Sequence, residues 1–184
     1  KGKIHDLILT AKQNANNALD EYFLSSKLDS DKLALLEELG QIINIDTPYR
    51  IELFDNSHLQ GSNPVGAAVV FINGEPAKKL YRKYHIEHDE ARDDLKSMEE
   101  IVYRRYKRLK DEGKDLPDLI LVDGGLNQIK AADTALKKAE VSINLFGLVK
   151  NNKHQTAGLM DINGNIYDIE NKNIFFMLTR MQDE

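Results

Sequence analysis

The length, composition and charge of this chain limit what it can be. At 184 residues, 41% of them hydrophobic, it is long enough for one well-buried domain and an extension. The absence of cysteine excludes disulfide scaffolds, thiolate metal sites and thiol nucleophiles, which leaves Asp, Glu and His as metal ligands. A net charge of −5 argues against nucleic-acid binding by the whole surface, although a local basic patch is compatible with it.

No membrane segment or signal peptide is predicted. The sequence contains no run of about 18 apolar residues, and its amino end lacks the unbroken apolar core of a signal peptide. We therefore expect a soluble cytoplasmic protein with no membrane partner.

Residues 1–46 are predicted to form a helical extension. Apolar residues keep helical spacing from Ile4 to Tyr22. Ser30 is predicted to start a second, shorter helix, which Gly40 would end. Neither helix carries recognisable chemistry, so we expect them to pack against the domain or to contact a partner.

From residue 47 to residue 184 the pattern is that of an α/β domain. Three strand-like runs with short connections predict an antiparallel meander, and helix, strand, helix and strand follow. A hairpin around Asn163 and Gly164 and the opening of a last helix complete the order. The predicted fold is a mixed five-stranded sheet with flanking helices and an extra hairpin.

Two acidic residues stand at the ends of apolar strands. Asp55 ends the first strand and Asp123 ends the fourth. If these strands are parallel neighbours, the two carboxylates meet at one edge of the sheet, where sites gather in α/β proteins. A divalent cation such as Mg²⁺ or Mn²⁺ would relieve their repulsion and suits phosphodiester cleavage. The alternative for each Asp is a turn former or a helix cap, and the pattern alone leaves both readings open.

Other polar residues are candidates for supporting roles. His58, three residues after Asp55, could orient a ligand or the scissile phosphate, or only stabilise a turn. Lys150 ends the fifth predicted strand and could contact a phosphate or the leaving group. A basic helix contains Arg104, Arg105 and Arg108, which could follow the phosphates of DNA or form an ordinary solvated face.

Four stretches resemble the carboxyl-terminal endonuclease region of the UvrC family, the incision subunit of bacterial nucleotide excision repair. They are "FDNSHLQGSNPVGAAVVFINGEPAKKLYRKYHI", "DDLKSMEEIVYRRYKRL", "LPDLILVDGGLNQIKAA" and "GLVKNNKH". The resemblance runs from about Arg50 to Glu184 and implies an RNase H-like endonuclease that uses a divalent metal to cut the damaged strand 5′ of a lesion. It places the first two catalytic, metal-binding carboxylates on Asp55 and Asp123. It implies damaged DNA and UvrB as partners, with UvrA acting upstream.

The resemblance also implies that the chain is part of a longer protein. The GIY-YIG nuclease that makes the 3′ cut and a helix-hairpin-helix module would lie outside it, and the domain would be truncated at its carboxyl end. In the family a His on the final helix completes the metal site. None of the five histidines here stands at that position, so weak or absent activity of the isolated chain is expected.

Two other functions remain open on the sequence. The first is a catalytically silent RNase H-like module that binds nucleic acid or a protein, since the fold alone does not decide function. The second is another metal-dependent phosphotransferase on the same scaffold, such as an RNA-directed nuclease or a DNA strand-transfer enzyme. Metal binding separates the first from an enzyme, and substrate preference separates the second.

Overall fold

The computed structural model describes residues 2–57, 65–86, 94–150 and 156–184. The helices are α1 (Gly2–Ile43), α2 (Asp94–Asp111), α3 (Leu126–Lys138) and α4 (Lys172–Asp183), with a short 3₁₀ helix at Lys78–Leu80. The strands are β1 (Arg50–Ser57), β2 (Val65–Ile72), β3 (Glu75–Pro76), β4 (Arg82–His85), β5 (Leu119–Val122), β6 (Asn144–Lys150), β7 (Thr156–Met160) and β8 (Ile166–Asp168).

These eight strands form one mixed sheet in the order β3-β2-β1-β5-β6-β7-β8, and β4 pairs with β2. The central strands β1, β5 and β6 are parallel, whereas β2 runs antiparallel to β1. The predicted α/β class and the parallel pairing of the first and fourth predicted strands are confirmed. The predicted count of five strands is too low for two reasons. The predicted turn after β2 contains the short strand β3, and the β7–β8 hairpin extends the sheet beyond β6. The third predicted strand, residues 77–86, is the 3₁₀ helix followed by β4.

An apolar core covers each face of the sheet. Helices α2 and α3 pack on one face, and the last turns of α1 pack with α4 on the other. Strand residues alternate between these faces, because successive side chains of a strand point in opposite directions. On β1, Ile51 and Leu53 belong to the core under α1 and α4, whereas Phe54 belongs to the core under α2 and α3. Position 55 therefore faces α4.

The predicted division of the amino-terminal region into two helices is wrong. A single helix runs through Ser30 and Gly40 and ends at Ile43, after which Asn44 turns the chain with a φ of 57°. A Cβ atom on Gly40 would lie 3.0 Å from the carbonyl oxygen of Ile45. Gly40 is therefore required by the close approach of the returning chain rather than by the helix end.

The last turns of α1 share the core of the α/β domain. Leu36, Leu39 and Ile43 are buried with residues of the sheet and α4, whereas Leu7, Tyr22 and the residues between them are exposed. The predicted domain boundary at residue 46 stays a prediction. None of the helices in the described part of the chain is long and apolar enough to cross a membrane.

Candidate active site

Asp55, on β1, and Asp123, the first residue after β5, lie at the same end of two neighbouring strands. Phe54 of β1 pairs with Val122 of β5, so each aspartate is the next residue beyond a paired position. The backbone N–H of Asp123 donates to the carbonyl oxygen of Phe54 at 3.0 Å, which ties the two strand ends together. Leu53 and Leu121, two residues earlier, both belong to the core under α4. By strand alternation, both carboxylates face α4.

The carboxylate of Asp123 has two donors from different elements. The ammonium of Lys150, at the end of β6, lies 2.9 Å from Oδ1 and 3.0 Å from Oδ2. The side-chain amide of Gln182 on α4 donates to Oδ2 at 3.2 Å. Sequence reasoning selected Lys150 but missed Gln182, because no motif indicates that the last helix turn returns to β5.

The residues of this edge fit a hard divalent cation. Two carboxylates on one face supply the oxygen ligands that Mg²⁺ and Mn²⁺ prefer, and Mg²⁺ typically takes one or two carboxylates together with waters and substrate phosphates. In the described part of the chain, no group of three or more His, Asp and Glu side chains is placed to hold a metal. His58 lies outside the described residues, so its supporting role stays a prediction.

A pocket beside Asp55 connects β1, β2 and β4 with the end of α4. Its lining includes Asp55, Lys83, Tyr81, Gln182 and Glu184. Burial and the neighbouring Glu184 carboxylate raise the pKa of Tyr81 to about 12. Tyr81 is therefore a neutral hydroxyl near pH 7 and cannot act as a base there.

A second carboxylate of β1 points to the opposite face. Glu52 is fully buried and accepts hydrogen bonds from Arg105 Nε at 2.5 Å and Nη2 at 2.8 Å. Tyr106 Oη donates to it at 2.7 Å and Arg50 Nη2 at 2.7 Å. This cluster, which we call the Glu52 cluster, fixes β1 to α2. Its donors already occupy the Glu52 carboxylate, which leaves Asp55 as the β1 carboxylate that faces α4.

The pKa of Glu52 lies below its ordinary value. Burial alone would raise it, but the hydrogen bonds and the positive charge of Arg105, with smaller contributions from Tyr106 and Arg50, outweigh that effect. Glu52 is therefore ionised in the folded protein, and a buried carboxylate is matched by two guanidinium groups. Sequence reasoning did not identify this cluster, although a glutamate inside the buried strand "RIELF" was a signal for it.

The structure corrects the predicted basic face of α2. Arg105 is only 6% exposed and paired with Glu52, so it is not available to contact phosphates. Arg104 and Arg108 are exposed and pair with Glu100 and Glu112 on the helix surface. They share a groove between α2 and β4 with other cations, namely Arg82, Lys83 and Lys114. A DNA-binding role stays a prediction for Arg104 and Arg108.

Reversing these two charges tests that role. We expect Arg104→Glu with Arg108→Glu to weaken DNA binding at low salt and to reduce the slope of log K against log salt by about one unit for each lost phosphate contact. The measurement is a titration of labelled duplex DNA at several salt concentrations. Lys130→Glu with Lys137→Glu, on the exposed side of α3, makes the same change in charge. Equal slopes in both double variants would identify the α2 face as ordinary solvated surface.

The fold and the paired carboxylates define an RNase H-like α/β domain. The chain belongs to the UvrC RNase H endonuclease domain family, whose sequence model matches residues 40–184. It is 45% identical over 190 aligned residues to UvrABC system protein C of Streptococcus equi subsp. zooepidemicus. That alignment covers all of this chain and 32% of the relative, so the chain spans about a third of the length of that protein. The resemblance seen in the sequence is confirmed.

Solved structures of other nucleases are more distant. Endonuclease V of Ciona intestinalis, in complex with DNA containing an inosine, is 14% identical with a TM-score of 0.41, over 70% of this chain and 58% of that chain. Human endonuclease V is 17% identical with a TM-score of 0.33, over 65% of this chain and 61% of that chain.

Proposed function

We propose that this domain hydrolyses a phosphodiester bond of damaged DNA and makes the 5′ incision of bacterial nucleotide excision repair. The observation that carries the proposal is the placement of Asp55 and Asp123 as adjacent, same-facing carboxylates at the end of the β1–β5 parallel pair. These two residues would hold Mg²⁺ or Mn²⁺. When bound, the cation would supply positive charge to the scissile phosphate and help to position the attacking water.

The protein supplies orientation and charge around that position. The sheet fixes the spacing of the two carboxylates, because both follow directly on paired strand positions. Lys150 and Gln182 hold the carboxylate of Asp123 from two sides, which restricts its rotation and offsets part of the like-charge repulsion. Lys150 lies close enough to the carboxylate pair for its ammonium to contact a phosphate bound there, and this role remains part of the proposal.

Family membership supports the partners that we propose. The matched relative is named as a component of the UvrABC system, so we propose damaged DNA and UvrB as direct partners, with UvrA acting upstream, and a cytoplasmic location. Because the chain spans only 32% of that relative, these partners belong to the activity of the longer protein.

Metal titration tests the proposal directly. We expect Mn²⁺ to bind the chain with a measurable heat, and Asp55→Asn or Asp123→Asn to weaken that binding by more than about tenfold, because each removes an anionic oxygen ligand. The matched control is Asp133→Asn, which removes a partly buried carboxylate of α3 that is paired with Lys137. If none of the three variants differs from the parent chain, the catalytically silent binding module becomes the better description.

A further inference from the structure

We infer that Lys83 on β4 binds a phosphate of the DNA strand close to the scissile one. This inference deepens the proposed function and rests on it for the identity of the ligand. No motif in the sequence selected Lys83. Its position in the sheet carries the inference, because the strand register puts it in line with the two carboxylates.

Lys83 lies in the same row of the sheet as Asp55 and Asp123. On β4, Lys83 pairs with Ala67 of β2, and Ala67 pairs with Asp55 of β1. Asp123 continues the row just beyond the end of β5, one residue after the Phe54–Val122 pair. Directly opposed residues of neighbouring strands point to the same face, so these side chains face α4 together. Asp55, Ala67 and Lys83 line one pocket, and Lys83, on the outer strand β4, also borders the groove towards α2.

A lysine lies on either side of the carboxylate pair, Lys83 within the row and Lys150 beyond its β6 end. Lys150 lies on the β6 side and contacts Asp123 at 2.9 Å. Lys83 lies on the β4 side, with only the methyl group of Ala67 between it and Asp55 along the row. A DNA strand that crosses the row would therefore meet a cation before and after the two carboxylates.

The spacing suits contacts to nearby phosphates. Neighbouring strands are about 4.8 Å apart, so the backbones at Asp55 and Lys83 are separated by about 10 Å across β2. One strand of duplex DNA carries a phosphate every 3.4 Å or so of helix axis. The flexible lysine side chain covers part of the separation, so Lys83 would contact a phosphate within about three nucleotides of the cleaved bond.

The charges around Lys83 leave its ammonium available. Lys83 is exposed and forms no ion pair with any carboxylate among the described residues. Other surface lysines, such as Lys107 and Lys137, are each paired with a carboxylate on their own helix. Glu184 lines the same pocket as Lys83, but its carboxylate accepts from Lys78 at 3.0 Å.

A cation at this position would reduce the electrostatic repulsion between the site and an approaching DNA strand. The chain carries a net charge of −5, and the site itself presents two carboxylates, so an approaching phosphodiester strand is repelled. A cation held by Asp55 and Asp123 would neutralise charge at the carboxylates only, and the neighbouring phosphates would still lack positive partners. Lys83 supplies one on the side of the row that Lys150 does not reach.

The test compares Lys83→Ala, Lys83→Arg and Lys130→Ala in the full-length protein. Lys130 is an exposed lysine on α3, on the other face of the sheet, so its variant controls for the loss of one positive charge. Labelled duplex DNA is titrated without divalent cation at several salt concentrations, so binding is measured without cleavage. The rate of 5′ incision is then measured against protein concentration under single-turnover conditions.

We expect Lys83→Ala to weaken DNA binding about three- to tenfold, to lower the salt slope by about one unit, and to raise the half-saturating concentration while the maximal rate stays within about twofold. Lys83→Arg should restore binding, because it restores the charge. The inference fails if Lys83→Ala binds DNA like Lys130→Ala, if arginine does not restore binding, or if only the maximal rate falls. The binding measurement does not depend on cleavage, so it tests the role of Lys83 alone. The Asp55 and Asp123 variants test the proposed function separately.

Discussion

Replacing Asp55 or Asp123 with asparagine in the full-length protein is expected to reduce 5′ incision at least about 100-fold while leaving 3′ incision unchanged. Each substitution keeps the shape of the side chain but removes one anionic oxygen ligand, so the cation binds more weakly and the water is misplaced. In the proposed arrangement a separate nuclease domain makes the 3′ cut. Both incisions can be measured on one end-labelled duplex that carries a lesion.

The 3′ incision is the internal control for this experiment, because a variant that fails to fold or to assemble would lose both cuts. Asp133→Asn is the matched control, since it removes a carboxylate of α3, which packs on the face of the sheet opposite to α4. We expect Asp133→Asn to cut normally on both sides. If Asp55→Asn or Asp123→Asn kept 5′ cutting within about tenfold of the parent protein, the catalytic assignment of that residue would be wrong.

The positions of Asp55 and Asp123 were predictable because apolar runs in the sequence indicate where the buried strands end and which face each side chain points to. Each follows a short apolar run, and an apolar run ends where a buried strand reaches the edge of its sheet. Strand alternation then fixes the face, since Leu53 and Leu121 belong to the core under α4 and the aspartates lie two residues further on. Only the adjacency of β1 and β5 required the structure, which confirmed it.

Contacts between distant parts of the chain were not predictable in this way. Arg105 pairs with a carboxylate 53 residues earlier, and its sequence neighbours Arg104, Lys107 and Arg108 resemble it in charge although they are exposed or only partly buried. A pattern of charges cannot show which member of such a helix turns inward, because the decision depends on a partner in another element. Gln182 is a similar case, since its contact with Asp123 spans 59 residues.

The end of α1 was placed too early for a different physical reason. Glycine has a low helix propensity, so a glycine near the end of a helical pattern predicts a stop. Gly40 lies inside the helix, and the position requires glycine because the chain that follows the helix packs against it. The carbonyl oxygens of Ile45 and Asp46 would lie 3.0 and 3.2 Å from a Cβ atom at this position. A sequence pattern does not contain that tertiary contact.

The second large effect concerns stability. We expect Glu52→Gln to lower the free energy of unfolding by about 3–5 kcal/mol, because it leaves Arg105 buried without a countercharge. Arg105 is 6% exposed, so water cannot replace the lost carboxylate. The measurement is denaturant unfolding of the chain followed by circular dichroism. Glu112→Gln is the control, since it removes an exposed carboxylate paired with Arg108 and Lys114, and we expect it to change stability little.

Removing both buried charges separates the ion pair from the packing of the same side chains. In Glu52→Leu with Arg105→Met, neither charge remains, so we expect the double variant to be more stable than Glu52→Gln. Tyr106 and Arg50 would lose an acceptor in the double variant, which keeps its recovery incomplete. A double variant as unstable as Glu52→Gln would show that the cost comes from packing rather than from the unpaired guanidinium.

The stability difference between the parent chain and Glu52→Gln should also depend on pH. Because the folded-state pKa of Glu52 lies below its ordinary value of 4.5, ionised Glu52 stabilises the folded state fully above that value. The contribution is lost as the pH falls through the lowered pKa, since the folded protein must then bind a proton at a buried carboxylate. Glutamine does not titrate, so the two chains should approach each other in stability below pH 4.5. The other carboxylates titrate in both chains and cancel in the comparison. A difference that stayed constant on acidification would mean that the carboxylate charge contributes nothing and that shape alone explains the effect of the substitution.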